Sequence, residues 1–472
     1  MKRVLLVTLA LITFLISILS ADWDELGRLT PEEKIYGLSQ IWKEAEYNYP
    51  HFDQLPELNW DREYRNYITK VLETENIFEY YRTLQKFVAL LQDCHTRVIF
   101  PQSFAAKLDY PLVQLKNIEG RVIVNNTGRL LIDSLPIGSE ILEVDGVPLD
   151  RYFREEIFPY ISASNKEVLD NKGLSLLLYG LKGSEVSVKF RYPPKFEEYP
   201  EKSDTIAEAT MVRDRMNDRW SALIDSKEEL LFHKWLDDEV LYLALYSFND
   251  ELIIRMFDSI LPELKRAKGL IIDLRDNRWG RLEVSNEILK YLTENEVLYG
   301  VVNESRKNIS LYKAWGTPIQ LYNYLPPEEY APYARGDVWH REEPREFPND
   351  PARERIILPT VILTGSEMAS VAEDFVVMLM NERKDIILVG THSAGSRGQA
   401  IILPLPGMGH IFIATQREIY NDGKILSRKG LQPDFVVEQS YQDYLDGIDT
   451  VLKRGHKVIR EMIDIQLFQK VE

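Results

Sequence analysis

The chain has 472 residues, room for about three domains at roughly 150 residues each, and its 45 % hydrophobic and 28 % charged residues belong to a globular protein, not a disordered one. A net charge of −17 makes nucleic acid and anionic lipid poor partners and points to peptides or small molecules as substrates. The single cysteine, Cys94, excludes an intrachain disulfide, so stability has to come from packing.

The chain opens MKRVLLVTLALITFLISILSAD: two basic residues, an apolar run from Val4 to Leu19, then small residues. This pattern predicts an export signal over residues 1–21, and hence a periplasmic, cell-surface or secreted protein. Membrane association follows only if the segment stays uncleaved, because a bilayer span needs about 20 apolar residues. Residues 22–106 are predicted to form an N-terminal helical domain. There Thr30-Pro31-Glu32-Glu33 combines a capping box with proline at the first helical position. Ile35, Leu38, Trp42, Ala45 and Tyr49 then give one apolar face, and WDREYRNYITKVLE and IFEYYRTLQKFVALLQ repeat the pattern. The domain ends in DCHTRVIFP, a tight polar turn feeding a short strand.

Over 107–212 short strands and turns take over, with Asp145-Gly146 between apolar runs as a hairpin signal. From 213 to 440 strands and helices alternate. EVLYLALYSF, KGLIIDLR, RIILPTVILT and DIILVG are nearly continuous apolar runs, as expected of strands buried on both faces. They predict an α/β core with a largely parallel sheet. Residues 316–355, with seven prolines, read either as a wall or lid over a groove or as an inert insertion. Residues 441–472 are predicted to form a C-terminal helical segment.

The stretch TGSEMASVAEDF, residues 364–375, lies between a buried strand and an amphipathic helix. Ser370 there either starts the helix, as one half of a capping box with Glu373, or is a nucleophile presented at a helix N-terminus. There is no H-E-x-x-H and no paired C-x-x-C, and the seven histidines are scattered, so neither a metal nor a cofactor is expected. GTHSAG approaches the G-x-S-x-G elbow, but Thr391 takes the place of its first glycine, which argues against Ser393 as nucleophile. Cys94 beside His95 is a poor thiol pair, since neighbouring side chains usually diverge. His95 follows a helix, where it could simply complement the helix dipole.

Six motifs, taken in order, resemble those of the C-terminal-processing (tail-specific) serine peptidases and the related tricorn-protease core. Asp93-Cys94-His95-Thr96 is similar to the Asp-x-His-Thr motif that closes the family's helical segment, and GSEILEVDGVPL resembles the G-D-x-I-L-x-V-D-G segment of its PDZ-like domain. DLRDNRWG, ending at Gly280, resembles D-L-R-x-N-x-G-G, and Ser370-Val371-Ala372-Glu373 resembles the nucleophile motif S-A-x-E. GTHSAGSRGQ and GLQPDF resemble the glycine-rich loop and the closing G-[IV]-x-P-D-[IFV]. The resemblance implies a multidomain α/β fold: an N-terminal helical domain, a PDZ-like β-rich domain and an α/β (crotonase/Clp-protease-like) peptidase core. It implies an endopeptidase acting on peptides or unfolded protein segments, with Ser370 as nucleophile and Val371 and Gly280 lining an oxyanion hole.

The family's commoner branch takes its general base from a lysine in a Gly-Lys-Gly loop. Here that loop reads Gly395-Ser396-Arg397-Gly398, and arginine stays protonated in proteins. The tricorn-like branch uses the histidine of the helical domain instead, which implies His95. Ser427 stands where that branch carries a glutamate, and Trp279 where the oxyanion turn has its first glycine. A catalytically impaired peptide-binding relative and an esterase on the same core remain alternatives, and the sequence does not indicate an oligomeric state.

Overall fold

A computed structural model describes residues 28–194, 200–220, 229–311, 314, 338–395, 399–419 and 429–469. The expected export signal, the 316–337 part of the proline-rich stretch, Ser396, Arg397 and Ser427 lie outside the described residues. Thr30 caps the first helix, Pro31–Asn48, in both directions. Its hydroxyl accepts from the Glu33 N–H at 3.2 Å, and its own N–H donates to Glu33 Oε2 at 2.8 Å. Helices Trp60–Leu72 and Ile77–Ala89 follow, capped by Asn59 and Asn76.

Helices alone do not close the core of this N-terminal part. Leu405, Ile411 and Ile413 pack into it beside Trp60, Tyr81 and Phe87. They come from an antiparallel hairpin, Ala400–Pro404 with His410–Ala414, to which Arg97–Ile99 adds a third strand. Tyr81 seals the contact, its hydroxyl donating to the Pro406 carbonyl at 2.9 Å and accepting from the Gly409 N–H at 2.7 Å.

The β-rich unit is an antiparallel sheet in the order Val113–Ile118, Arg121–Thr127, Glu140–Val144, Glu185–Arg191, Ile206–Val212. The Asp145-Gly146 turn has positive φ at both residues, 50° and 75°, as a two-residue hairpin loop requires. Helix Lys166–Leu176 belongs to this unit.

The third unit is built on a sheet ordered Leu231–Trp235, Val240–Leu245, Gly269–Asp273, Thr360–Thr364, Ile386–Gly390, Phe435–Val436. Its first pair is antiparallel and every later pair parallel. The three strands from Val240 to Thr364 are buried at every position, because both faces are covered. Leu241, Leu243 and Ile272 meet helices Leu282–Leu289 and Val371–Glu382 on one side. Tyr242, Ile271 and Val361 meet Val458, Ile459 and Ile463 of the C-terminal helix Thr450–Gln469 on the other.

Arg275 ties that last helix to the sheet. Its guanidinium donates to Asp273 at 2.6 Å and to both Asp449 oxygens at 3.0 and 2.6 Å, while the Tyr242 hydroxyl donates to Asp273 at 2.7 Å. Burial works against the Arg275 charge, but Asp273 and Asp449 outweigh it and hold its pKa well above the usual value. Arg275→Ala would leave two largely dehydrated carboxylates unpaired. A loss of about 3 kcal/mol is expected in urea denaturation, the low end for a broken buried pair, because Asp449 keeps some solvent contact. A loss below about 1 kcal/mol would put the network with ordinary surface pairs.

Candidate active site

Strand Thr360–Thr364 leads through residues 365–370 into helix Val371–Glu382. Gly390, at the end of the adjacent strand, has φ 137°, and a Cβ there would lie 2.0 Å from the Thr364 carbonyl. Only glycine therefore lets the two strand ends close, with Thr391 N–H on Thr364 O at 3.2 Å and Thr364 Oγ1 on Thr391 O at 2.8 Å.

Ser370 stands at this junction with φ 58° and ψ −122°. Ordinary capping residues take extended backbone. Thr30, Asn76 and Asn165 do so, with φ of −69°, −139° and −149°. Ser370 departs from them, at a cost of about 1–3 kcal/mol for a side chain in so sparsely populated a region. The predicted capping box holds in its carboxylate half, where Glu373 Oε2 accepts from the Ser370 N–H at 3.1 Å. The hydroxyl half of the box is present as well, and the Glu373 and Asp374 amides also reach the Ser370 carbonyl at 2.8 and 3.1 Å.

Glu373 is fully buried and organises the loops around it. Its Oε1 accepts from the Gly395 N–H at 3.0 Å and from the Ser393 hydroxyl. Ser393 also accepts from the Leu431 N–H at 2.6 Å and is itself fully buried, so it is a structural link and not a nucleophile. Gly430, with φ 71°, comes so near that a Cβ would lie 2.3 Å from the Ser393 carbonyl. The GLQPDF motif thus clamps the glycine-rich loop, and Asp434 adds a bond from the Leu388 N–H at 2.7 Å. Glu373→Gln keeps the size but weakens the acceptor for three donors. It is expected to cost about 1.5–3 kcal/mol, the range for hydrogen bonds to a charged group, read as a lower denaturation midpoint.

The turn carrying Gly280 is tied to the same junction, with Asn277 O accepting from the Ala369 N–H at 3.1 Å. Trp279 O and Arg281 N–H pair with Phe248 at 3.5 and 3.0 Å, which leaves the Gly280 amide facing away from that strand. Among the described residues neither the Gly280 N–H nor the Val371 N–H has a hydrogen-bond partner. A Cβ on Gly280 would lie 2.4 Å from Phe248, so this position needs glycine. Trp279 does not: its side chain is 61 % exposed.

Far away in sequence, the Asp93–Thr96 turn is fixed by Thr96 Oγ1 on Asp93 Oδ2 at 2.5 Å and His95 N–H on Asp93 Oδ1 at 3.3 Å. Thr96 also accepts from the Ala414 N–H of the hairpin at 3.1 Å. Cys94 is buried in a small cluster with Val168 and Ala394, against which Ala369 also packs, so the turn that bears His95 lies near the Ser370 junction. Cys94 is therefore a packing residue. Burial lowers the His95 pKa below its usual value; Asp93 opposes this, while Arg97 and Lys172 add to it.

A segment without any motif, Ser162–Asn165, also reaches these loops. A cavity of about 610 Å³ opens beside it, lined by Tyr67, Lys86, Leu90, Phe158, Asn165 and Leu169 among others. Among the described residues no group of His, Cys, Asp or Glu could hold a metal ion, and no helix is long and apolar enough to cross a membrane.

The core is thus a mostly parallel α/β sheet with a strained serine at a strand-to-helix junction. Residues 239–437, less than half of the chain, match the model of peptidase family S41, and the motifs resemble those of the C-terminal-processing serine peptidases. The matched range includes Gly280, Ser370 and the GLQPDF motif, and excludes His95 and the β-rich unit. No curated protein matches the chain in sequence. Among solved structures, mature CPAF complexed with lactacystin is similar in fold at 14 % identity, over 93 % of this chain and 98 % of that one, with a TM-score of 0.67. Mature CPAF alone is similar at 14 % identity over 92 % and 96 % of the two chains, also with a TM-score of 0.67.

Proposed function

We propose that this protein is an exported serine endopeptidase that cleaves peptide bonds of unstructured or C-terminal protein segments through an acyl-enzyme on Ser370. The backbone of Ser370 carries the reading: a serine that only capped its helix would sit in the extended region, as Thr30 and Asn165 do. A strained turn that lifts a hydroxyl to the start of a helix is the geometry of a nucleophile elbow. His95 takes the proton from Ser370 and returns it to the leaving amine, and its lowered pKa keeps it neutral for that task. The amides of Val371 and Gly280, unpartnered among the described residues, stabilise the oxyanion, aided by the helix dipole.

The β-rich unit acts as a PDZ-like module. Among the described residues its strand Val113–Ile118 has one sheet neighbour, and its other edge is where an extended substrate tail adds as a further strand. Export rests on the N-terminal sequence pattern. The test is to label folded protein with a serine-reactive fluorophosphonate and map the adduct. An adduct on Ser370 is the expected result, and folded protein that takes up no label would favour the non-catalytic peptide-binding alternative.

A further inference from the structure

Ser370 and His95 come from different units, and both hang from one short segment of a third. Ser162 Oγ accepts from the Asp93 N–H at 3.0 Å and donates to the Asp93 carbonyl at 2.7 Å. Ser164 Oγ accepts from the Cys94 N–H at 3.1 Å and lies 3.1 Å from Cys94 Sγ, so it grips the residue next to His95. One position further, Asn165 Nδ2 donates to the Ser393 carbonyl at 3.2 Å. The Ser393 hydroxyl donates to Glu373, and Glu373 holds the Ser370 N–H. The following helix is anchored beside them by Lys172 Nζ on Ser162 O at 3.2 Å and Asn171 Nδ2 on Ser366 Oγ at 2.5 Å.

We propose that Ser164 and Asn165 are positioning residues that align His95 with Ser370: the Ser164 hydroxyl holds the turn bearing His95, and the Asn165 amide holds the Ser370 backbone through Ser393 and Glu373. The proposal rests on the peptidase reading above. Proton transfer from serine to histidine needs the two groups within hydrogen-bond reach, and a misplacement of about 1 Å can cost about 10²-fold in rate. Two consecutive side chains that fix both partners against one rigid segment supply that alignment without touching substrate.

Asn165 allows the positioning role to be separated from a structural one. Its Oδ1 caps helix Lys166–Leu176 by accepting from the Val168 N–H at 2.9 Å, while its Nδ2 makes the bond to Ser393. Asp and Ser are equally good caps, but Asp has no donor and Ser is too short to bridge. In the full chain, Asn165→Asp and Asn165→Ser are expected to lower kcat by about 10- to 100-fold. KM should stay within about twofold of wild type, as for groups that act on the chemical step and not on binding. The melting temperature should hold. Ser164→Ala should lower kcat likewise and move the acid limb of the pH profile up toward about 6.5 as the histidine turn loosens into water, with Ser164→Thr restoring both. Wild-type kcat in both Asn165 variants, or losses that track falling thermal stability, would overturn the proposal alone. A wild-type protein without a Ser370 adduct would overturn the peptidase reading and this proposal with it.

Discussion

Replacing Ser370 with alanine is expected to abolish fluorophosphonate labelling and to lower peptidase activity by several orders of magnitude, the usual consequence of removing a nucleophile. Stability should change little. A lost cap costs about 1 kcal/mol, and the first helical amides also bond to the Ser370 carbonyl, which alanine retains. Glycine at the same position tells more. At φ 58° it relieves a strain that alanine keeps, so Ser370→Gly should be equally inactive but more stable than Ser370→Ala by about 1 kcal/mol. That pairing of lost activity with gained stability marks a residue held in place for chemistry. A labelled Ser366 or Ser393 would sink the assignment. Ser393 has little scope for this, buried between Glu373 and Leu431, and Ser366 is bonded to Asn171.

Much of the core was legible because its physics is local. Val240–Leu245, Gly269–Asp273 and Thr360–Thr364 are buried on both faces, so their sequences are continuous apolar runs with no competing helical period. The Thr30 cap and the Asp145-Gly146 turn likewise depend on residues a few positions apart. Two features had no such signal. IILPLPGMGHIFIA lies within the 213–440 stretch assigned to the α/β core, yet its hairpin completes the core of the N-terminal helices, a partnership that no periodicity encodes. Ser162, Ser164 and Asn165 are small polar residues of the kind found in any loop, and their partners lie far away in the chain. At Ser370 the motif pointed to the residue, but its strained backbone conformation has no counterpart in composition. Trp279 stood where the family has glycine. Only the fold shows that a side chain at Gly280 would run into Phe248, while the Trp279 indole lies largely in solvent.

His95→Ala is expected to lower kcat by about 10²–10⁴-fold, the contribution of a positioned general base. The accompanying pH profile is the sharper measurement. A histidine base must be neutral, and burial together with Arg97 and Lys172 depresses the His95 pKa against the opposing pull of Asp93. The acid limb of kcat/KM should therefore fall below the unperturbed value of about 6.5, with activity rising through it and levelling off above. A lysine base would place the limb higher unless burial had strongly lowered its pKa. The same shift has a consequence for stability, and its sign is fixed. The folded state binds the proton more weakly than the unfolded chain, so folding is penalised as pH drops below about 6.5 and the penalty stops growing below the folded pKa. His95→Ala should remove that part of the acid sensitivity and the kinetic limb together. A histidine that only complemented its helix end would behave differently: near-normal kcat, an unchanged limb and a loss of about 0.3–1 kcal/mol. That result would falsify His95 as the base, and Ser370 would need another group to take its proton.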